Sequence, residues 1–351
     1  MHQPTLADRL SLVADRSIER TVAFAETIAA NEGVPRKEPT AGDEVGRSLG
    51  TGSRGVYILA NNRVFDLVVA FLNSFRATNP ELPLCLIPFD DHTEKIARLA
   101  DRYHFSIFDD RDLLQSYDQI GCRLQGRAIG QYRKIAAWKG PYERFIFIDI
   151  DTVVLRPLDE VFDLLDGHDY IAGHSHFPNT RMWTWRDSAY AGAGLSAEQI
   201  DYSANTGFFA SKVDLFSDDR LAQTVASAMP LRAHMNLGTY EQAFLNYLVV
   251  TLGIRYTSLS QIEASNEKAG IPCECWPGDP KWKLTGDSGL RFGGKERPVL
   301  FIHWAGCWWA TNWDRRCERI LRALGFKVAE AVVRRRMRLG RVWRHYRQLR
   351  N

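Results

Sequence analysis

Apolar and polar positions alternate with two different rhythms along this chain. Leu6, Leu10, Val13, Ile18, Val22 and Ile28 recur at helical spacing and predict a helix over residues 5–30. Residues 31–53 hold Gly33, Pro35, Pro39, Gly42, Gly46, Gly50 and Gly52 among many charges, the composition of a linker. From residue 55 the pattern becomes short apolar runs alternating with helical periods. Strands are predicted at 55–60, 84–88, 105–108 and 145–148, and at 208–210 further on. Helices are predicted at 65–76, 92–103 and 131–138. Strands alternating with helices imply an α/β fold with a largely parallel sheet and right-handed crossovers. In such sheets ligands bind beyond the carboxyl ends of the strands, which is where Asn61, Asn62, Asp149 and Asp151 fall.

Composition narrows the class. The chain has 351 residues, 45% hydrophobic and 25% charged, as a globular protein with room for one large α/β domain or two ordinary ones. The first residues contain no apolar leader, and no stretch approaches the length of a membrane span, so a cytoplasmic location is expected. Cys85, Cys122, Cys273, Cys275, Cys307 and Cys317 make no two-pair zinc spacing, and Cys273-Glu-Cys275 is weak as a metal site, so reduced thiols are expected. The net charge of +3 is uneven: residues 315–351 hold thirteen Arg or Lys against two Glu, a local +11 that leaves about −8 on the rest.

The densest chemical signal is Arg144-Phe-Ile-Phe-Ile-Asp149-Ile-Asp151, an apolar strand that ends in two carboxylates. Side chains alternate along a strand, so Asp149 and Asp151 project to the same side. Two anions held together call for a positive partner, and a hard divalent cation is the natural one. A turn cap plus a solvated Asp is the plain alternative.

The surrounding residues resemble glycogenin and its relatives in glycosyltransferase family 8. The resemblance rests on Lys134-x-x-x-Trp138 before the strand, Asp149-x-Asp151 at its end and Leu158-Asp-Glu-Val-Phe162 after it. It extends through Asn205-Thr-Gly-Phe-Phe, Tyr240-Glu-Gln-Ala-Phe-Leu-Asn246 and Val299-Leu-Phe-Ile-His303-Trp-Ala-Gly306. These blocks stand in the family's order across residues 54–313. What the resemblance implies is a GT-A fold, a Rossmann-like and mostly parallel sheet flanked by helices. The implied activity is metal-dependent transfer of a sugar from a nucleoside-diphosphate sugar, a UDP-sugar by analogy, with retention. It further implies Asp149, Asp151 and His303 as ligands of Mn2+ or Mg2+, and Lys134, with Arg133 and Gly306, at the phosphates. Asn61 and Asn62 would meet the nucleobase, although a plain turn accounts for them equally well. Asn205, Glu241 and Gln242 would line the donor sugar. Glu241 would face the anomeric carbon, or else interact with the dipole of the helix it begins. The chain departs from the family at Cys307-Trp-Trp-Ala310, where a diphosphate-gripping Lys and a Pro-Trp are usual. Arg133, Lys134, Lys281, Lys283 and Lys295 are the candidate substitutes.

Other features leave alternatives open. Trp183, Trp185, Trp276, Trp282, Trp304, Trp308, Trp309 and Trp313 suit sugar faces or simple packing. His174 and His176 suit a second metal pair, an acceptor pocket or no site at all. Residues 328–349 place apolar positions every three or four residues among arginines. That pattern suits an anionic membrane surface, a contact with the acidic body or another copy, or, least of the three, nucleic acid. The expected organisation is a helical extension and linker at 1–53, a catalytic domain at 54–313 and a basic helical tail at 314–351. Competing readings are a sugar nucleotidyltransferase, for which Ala60-Asn-Asn-Arg-Val-Phe lacks the Gly-rich basic loop, and a degenerate sugar-nucleotide-binding scaffold.

Overall fold

Val56, Ile58 and Ala60 point to one side of the first strand and Tyr57 and Leu59 to the other, and all five are buried. A strand buried on both faces belongs in the middle of a sheet covered on both sides. The computed structural model describes residues 53–265, 270–277, 282–285, 289–292, 295–296, 298–305, 342–343 and 345–349. The predicted helix at 5–30, the linker up to residue 52, Gly306, residues 307–310, Lys281, the side chains of Trp282, Lys283 and Lys295, Trp313 and most of the basic tail lie outside the described residues.

The strand β1 (Arg54–Ala60) is flanked by β2 (Leu84–Pro88) and β4 (Arg144–Ile148), both parallel to it. With β3 (Phe105–Ile107), β6 (Tyr170–Ala172), β7 (Phe208–Lys212) and β8 (Tyr256–Ser258) they form a seven-stranded sheet of order β3-β2-β1-β4-β7-β6-β8. Only β7 runs against its neighbours. The sheet is therefore mostly parallel and flanked by helices, the layout that the GT-A resemblance implies. A second, three-stranded sheet joins β5 (Thr152–Val154), β13 (Val299–His303) and β9 (Cys273–Cys275). The strands β10 (Trp282–Thr285), β11 (Gly289–Phe292) and β12 (Lys295–Glu296) form a small antiparallel sheet.

The two faces carry separate cores. Helix α1 (Phe65–Thr78) packs with Val56, Ile58, β5 and β13 on one side. On the other, α2 (Arg111–Gln125), α3 (Asp218–Ala228) and α4 (Gln242–Thr251) pack with Tyr57, Leu59 and Trp138. Val342, Trp343 and Tyr346 of the basic tail are buried in the α1 core. Asn73 donates to the Tyr346 carbonyl at 2.6 Å, and Arg347 pairs with Asp66 at 2.6 Å. The described part of the tail's apolar face thus covers α1, the contact with the body that the sequence also allowed.

Two predicted helices take other forms. The helix expected at 92–103 is two short pieces, Glu94–Ala97 and Ala100–Tyr103, separated by a tight turn in which Leu99 N–H donates to the Ile96 carbonyl at 2.8 Å. The segment Gly130–Lys139 is a 3-10 helix. In that geometry side chains three apart eclipse, so Tyr132, Ile135 and Trp138 form one apolar row against the core. Trp138 stacks on Phe209 at 5.0 Å and donates from Nε1 to Ser211 Oγ at 2.9 Å. This anchor fixes the next row, Gln131 and Lys134, toward the ends of the central strands.

Candidate active site

Strand β4 stops at Ile148, and the backbone N–H of Asp149 donates to the Gly207 carbonyl at 2.7 Å. Asp151 follows just before β5. Register then delivers a residue from far downstream: β13 pairs antiparallel with β5, and His303 lies opposite Thr152. Trp304 N–H donates to the Asp151 carbonyl at 2.9 Å. One ligand atom each from Asp149, Asp151 and His303 falls within 4.8 Å of the others, and His303 Nε2 is 3.3 Å from Asp151 Oδ1. Gly207 makes this approach geometrically open. A Cβ there would overlap the His303 ring and press on Asn205 Oδ1 at 2.9 Å.

Lys134 lies under this group, almost wholly buried. Its Nζ is 3.0 Å from Asp149 Oδ1, 2.7 Å from Glu241 Oε1 and 3.2 Å from the Thr206 carbonyl, and it sits 4.9 Å above the Phe147 ring. Burial works against its charge, but the Asp149 and Glu241 carboxylates outweigh burial and raise its pKa. Asp149 is itself pushed up, first by burial and then by Asp151, against the pull of Lys134 and His303. Glu241 caps no backbone N–H of α4 although it precedes that helix. Its carboxylate turns instead to Lys134 and to the Thr206 hydroxyl at 3.0 Å. Asn205 accepts from Gly207 N–H at 2.7 Å, and Gln242 donates to Thr184 Oγ1 at 3.1 Å. Asn246 clamps the Asn205 loop to α4 through both Ala204 backbone groups, at 2.7 and 2.8 Å.

These side chains line a cleft of about 690 Å³ at the carboxyl ends of β1 and β4. Asn61, Lys134, Asp149, Asp151, Asn205, Glu241, Gln242 and His303 all reach it. Two proposed residues do not. Arg133 lies on another row of the 3-10 segment, paired with Asp118 at 2.6 Å and donating to the Pro88 carbonyl at 3.0 Å. Asn62 donates to Glu94 at 2.7 Å and accepts from Lys95 N–H at 2.9 Å, so the turn reading holds for it. Asn61 caps its own turn and also lines the cleft.

The histidine pair does not line the cleft. Strand β6 ends at Ala172, so His174 and His176 share no strand face. His174 turns to Glu274 at 2.8 Å, and His176 meets Ser175 Oγ at 2.8 Å and Gln261. Among the tryptophans, Trp183 and Trp276 line the cleft edge to face, with centroids 5.3 Å apart, whereas Trp185 and Trp304 are core.

Three residues of the site escaped sequence reasoning. Gln131 and Arg63 line the cleft. Glu274 accepts from His303 Nδ1 at 2.7 Å with one oxygen while the other meets His174. Burial alone would raise the Glu274 carboxyl, but His174 and His303 hold it below the usual carboxylate range. His303 is conversely raised, against burial, by Asp151 and Glu274.

Neither a protein-family model nor a curated protein sequence matches the chain. Solved glycosyltransferase structures are similar to it. The galactosyltransferase LgtC, in complex with donor and acceptor sugar analogs, is 13% identical with a TM-score of 0.49, covering 83% of this chain and 99% of that one. The apo WbbM bifunctional glycosyltransferase is 15% identical at a TM-score of 0.47, covering 74% of this chain. The glycosyltransferase GlyE of Streptococcus pneumoniae TIGR4 is 13% identical at a TM-score of 0.43, covering 86%. The chain spans 47% of the length of WbbM and 61% of that of GlyE.

Proposed function

We propose that this chain is a metal-dependent glycosyltransferase that moves a sugar from a nucleoside-diphosphate sugar to an acceptor. The observation that carries this reading is the convergence of Asp149, Asp151 and His303 in a cleft that also presents Glu241, Gln242 and Asn205. Two carboxylates and one imidazole fit a divalent cation, and the nitrogen ligand favours Mn2+ over Mg2+. When bound, such a cation supplies Lewis-acid stabilisation of the charge on the departing diphosphate.

The chain's own residues do the rest. Lys134 fixes the Asp149 and Glu241 carboxylates in place, 3.0 and 2.7 Å from its ammonium. Because that ammonium is engaged, Lys134 acts on the donor through its carboxylate partners. Arg63, exposed at the cleft wall, is the cation offered to an anionic donor among the described lining residues. Glu241 presents its carboxylate to the sugar, suited to steadying positive charge at the anomeric carbon. Asn205 and Gln242 are held by Gly207 and Thr184 and offer amide contacts to hydroxyls. The UDP donor and retention of configuration follow the family resemblance.

The test is a donor screen reading released nucleoside diphosphate, with Mn2+ and with EDTA. Turnover of one donor class that needs Mn2+ and is lost in Asp151→Asn supports the proposal. Release unaffected by EDTA and by Asp151→Asn refutes it.

A further inference from the structure

We propose that Glu274 is a positioning residue that makes His303 a metal ligand, by accepting its Nδ1–H and leaving Nε2 facing the acidic pair. The inference rests on the metal-dependent reading above and deepens it.

An ionised carboxylate has no proton to donate. Its two oxygens lie 2.7 Å from His303 Nδ1 and 2.8 Å from His174 Nδ1, so each imidazole must donate from Nδ1. For His303 that leaves Nε2, the nitrogen 3.3 Å from Asp151, as the one available to a cation. A carboxylate behind a ligating imidazole fixes ring orientation and raises ligand basicity.

The surroundings are built for this contact. The Glu274 side chain is only 1% exposed, and such a carboxylate persists only where hydrogen bonds compensate its burial. It rises from β9, between β13 and the chain leaving β6. Gly173 leaves room for it, since a Cβ there would run into Glu274 Oε2. His174 is in turn held edge-on by Phe177, with centroids 5.4 Å apart, and so locks the second oxygen. The contact spans both sheets, tying the loop after β6 to the end of β13.

The test titrates the full chain with Mn2+ alone, following the free-ion EPR signal, and records thermal unfolding of the same samples. Wild type is expected to bind one ion in the cleft. Glu274→Leu should weaken binding 10- to 100-fold, and Glu274→Gln, which keeps an acceptor for Nδ1, by less. Unchanged Mn2+ affinity in a folded Glu274→Leu protein overturns the inference while leaving the metal reading intact. A wild type that binds no Mn2+ overturns the metal reading first, and this inference with it. Should the leucine variant not fold, the glutamine variant and the nitrogen spectra of wild type decide. Long-range 1H–15N spectra, assigned with His303→Gln, should show a protonated Nδ1 on His303 before and after Zn2+ is added, and a bare Nδ1 overturns the proposal.

Discussion

Replacing Lys134 by Met removes the cation between two carboxylates while keeping most of its volume. Glu241, 4% exposed, is left buried without its ion partner, whereas Asp149, 31% exposed, keeps some contact with solvent. Removing one partner of a buried pair costs about 3–5 kcal/mol, and the partly exposed Asp149 adds little beyond that. A loss of roughly 3–4 kcal/mol corresponds to a fall in Tm on the order of 10 °C. The loss should depend on pH. Asp149 already sits above its ordinary 3.8, and without Lys134 it rises further. A raised carboxyl favours the folded state below its ordinary pKa, and that support disappears as pH climbs through the raised value. The variant should therefore recover stability toward acid. Circular dichroism melts in EDTA across pH measure this, and repeating them with Mn2+ adds a second signature. Asp149, Asp151 and His303 all remain and a repelling charge is gone, so Mn2+ should still stabilise the variant, although donor turnover is lost. A variant within about 1 kcal/mol of wild type, or one that no longer responds to Mn2+, would refute the reasoning.

Other substitutions probe separate links. Gly207→Ala forces a Cβ into the His303 ring and should cost about 1–3 kcal/mol together with most Mn2+ binding, read by melts and titration. Arg63→Ala should raise KM for the donor roughly 10-fold or more with little change in kcat, as loss of a charge-assisted contact predicts. Arg133→Gln breaks the Asp118 pair and should lower Tm while leaving donor KM unchanged. Asp169 accepts from Arg255 and Lys212, and Arg255 before Lys212 holds its carboxyl below the usual range. Asp169→Asn should therefore cost about 1 kcal/mol at neutral pH. The difference should shrink as pH falls below the ordinary carboxyl value, because a depressed carboxyl supports the fold only while ionised.

The sequence made the scaffold legible where burial is two-sided. The run from Val56 to Ala60 and the strand before Asp149 read as strands, and the structure places both inside the sheet. Strand periodicity also put the two aspartates on one side. What it could not show was the register that brings His303 beside them, because β5 and β13 are separated by more than 140 residues. His303 entered through the order of motifs alone. Arg133 and Lys134 are neighbours with the same charge, and only the 3-10 row decides which one faces the cleft. Glu274 was hidden by its flanking cysteines, which drew attention to thiol chemistry. The usable signal was a carboxylate between two residues fit for a core, which needs hydrogen-bond partners wherever it is buried. The tail's apolar spacing serves a bilayer or a helix alike, and for Val342, Trp343 and Tyr346 the partner is α1.

The central claim is tested most directly by anomalous diffraction at the manganese edge, from crystals of the full chain grown with Mn2+ and UDP. The account predicts one strong peak within coordination distance of Asp149, Asp151 and His303 Nε2. A cleft that holds UDP with no peak between these residues, or a peak at another place only, would contradict it.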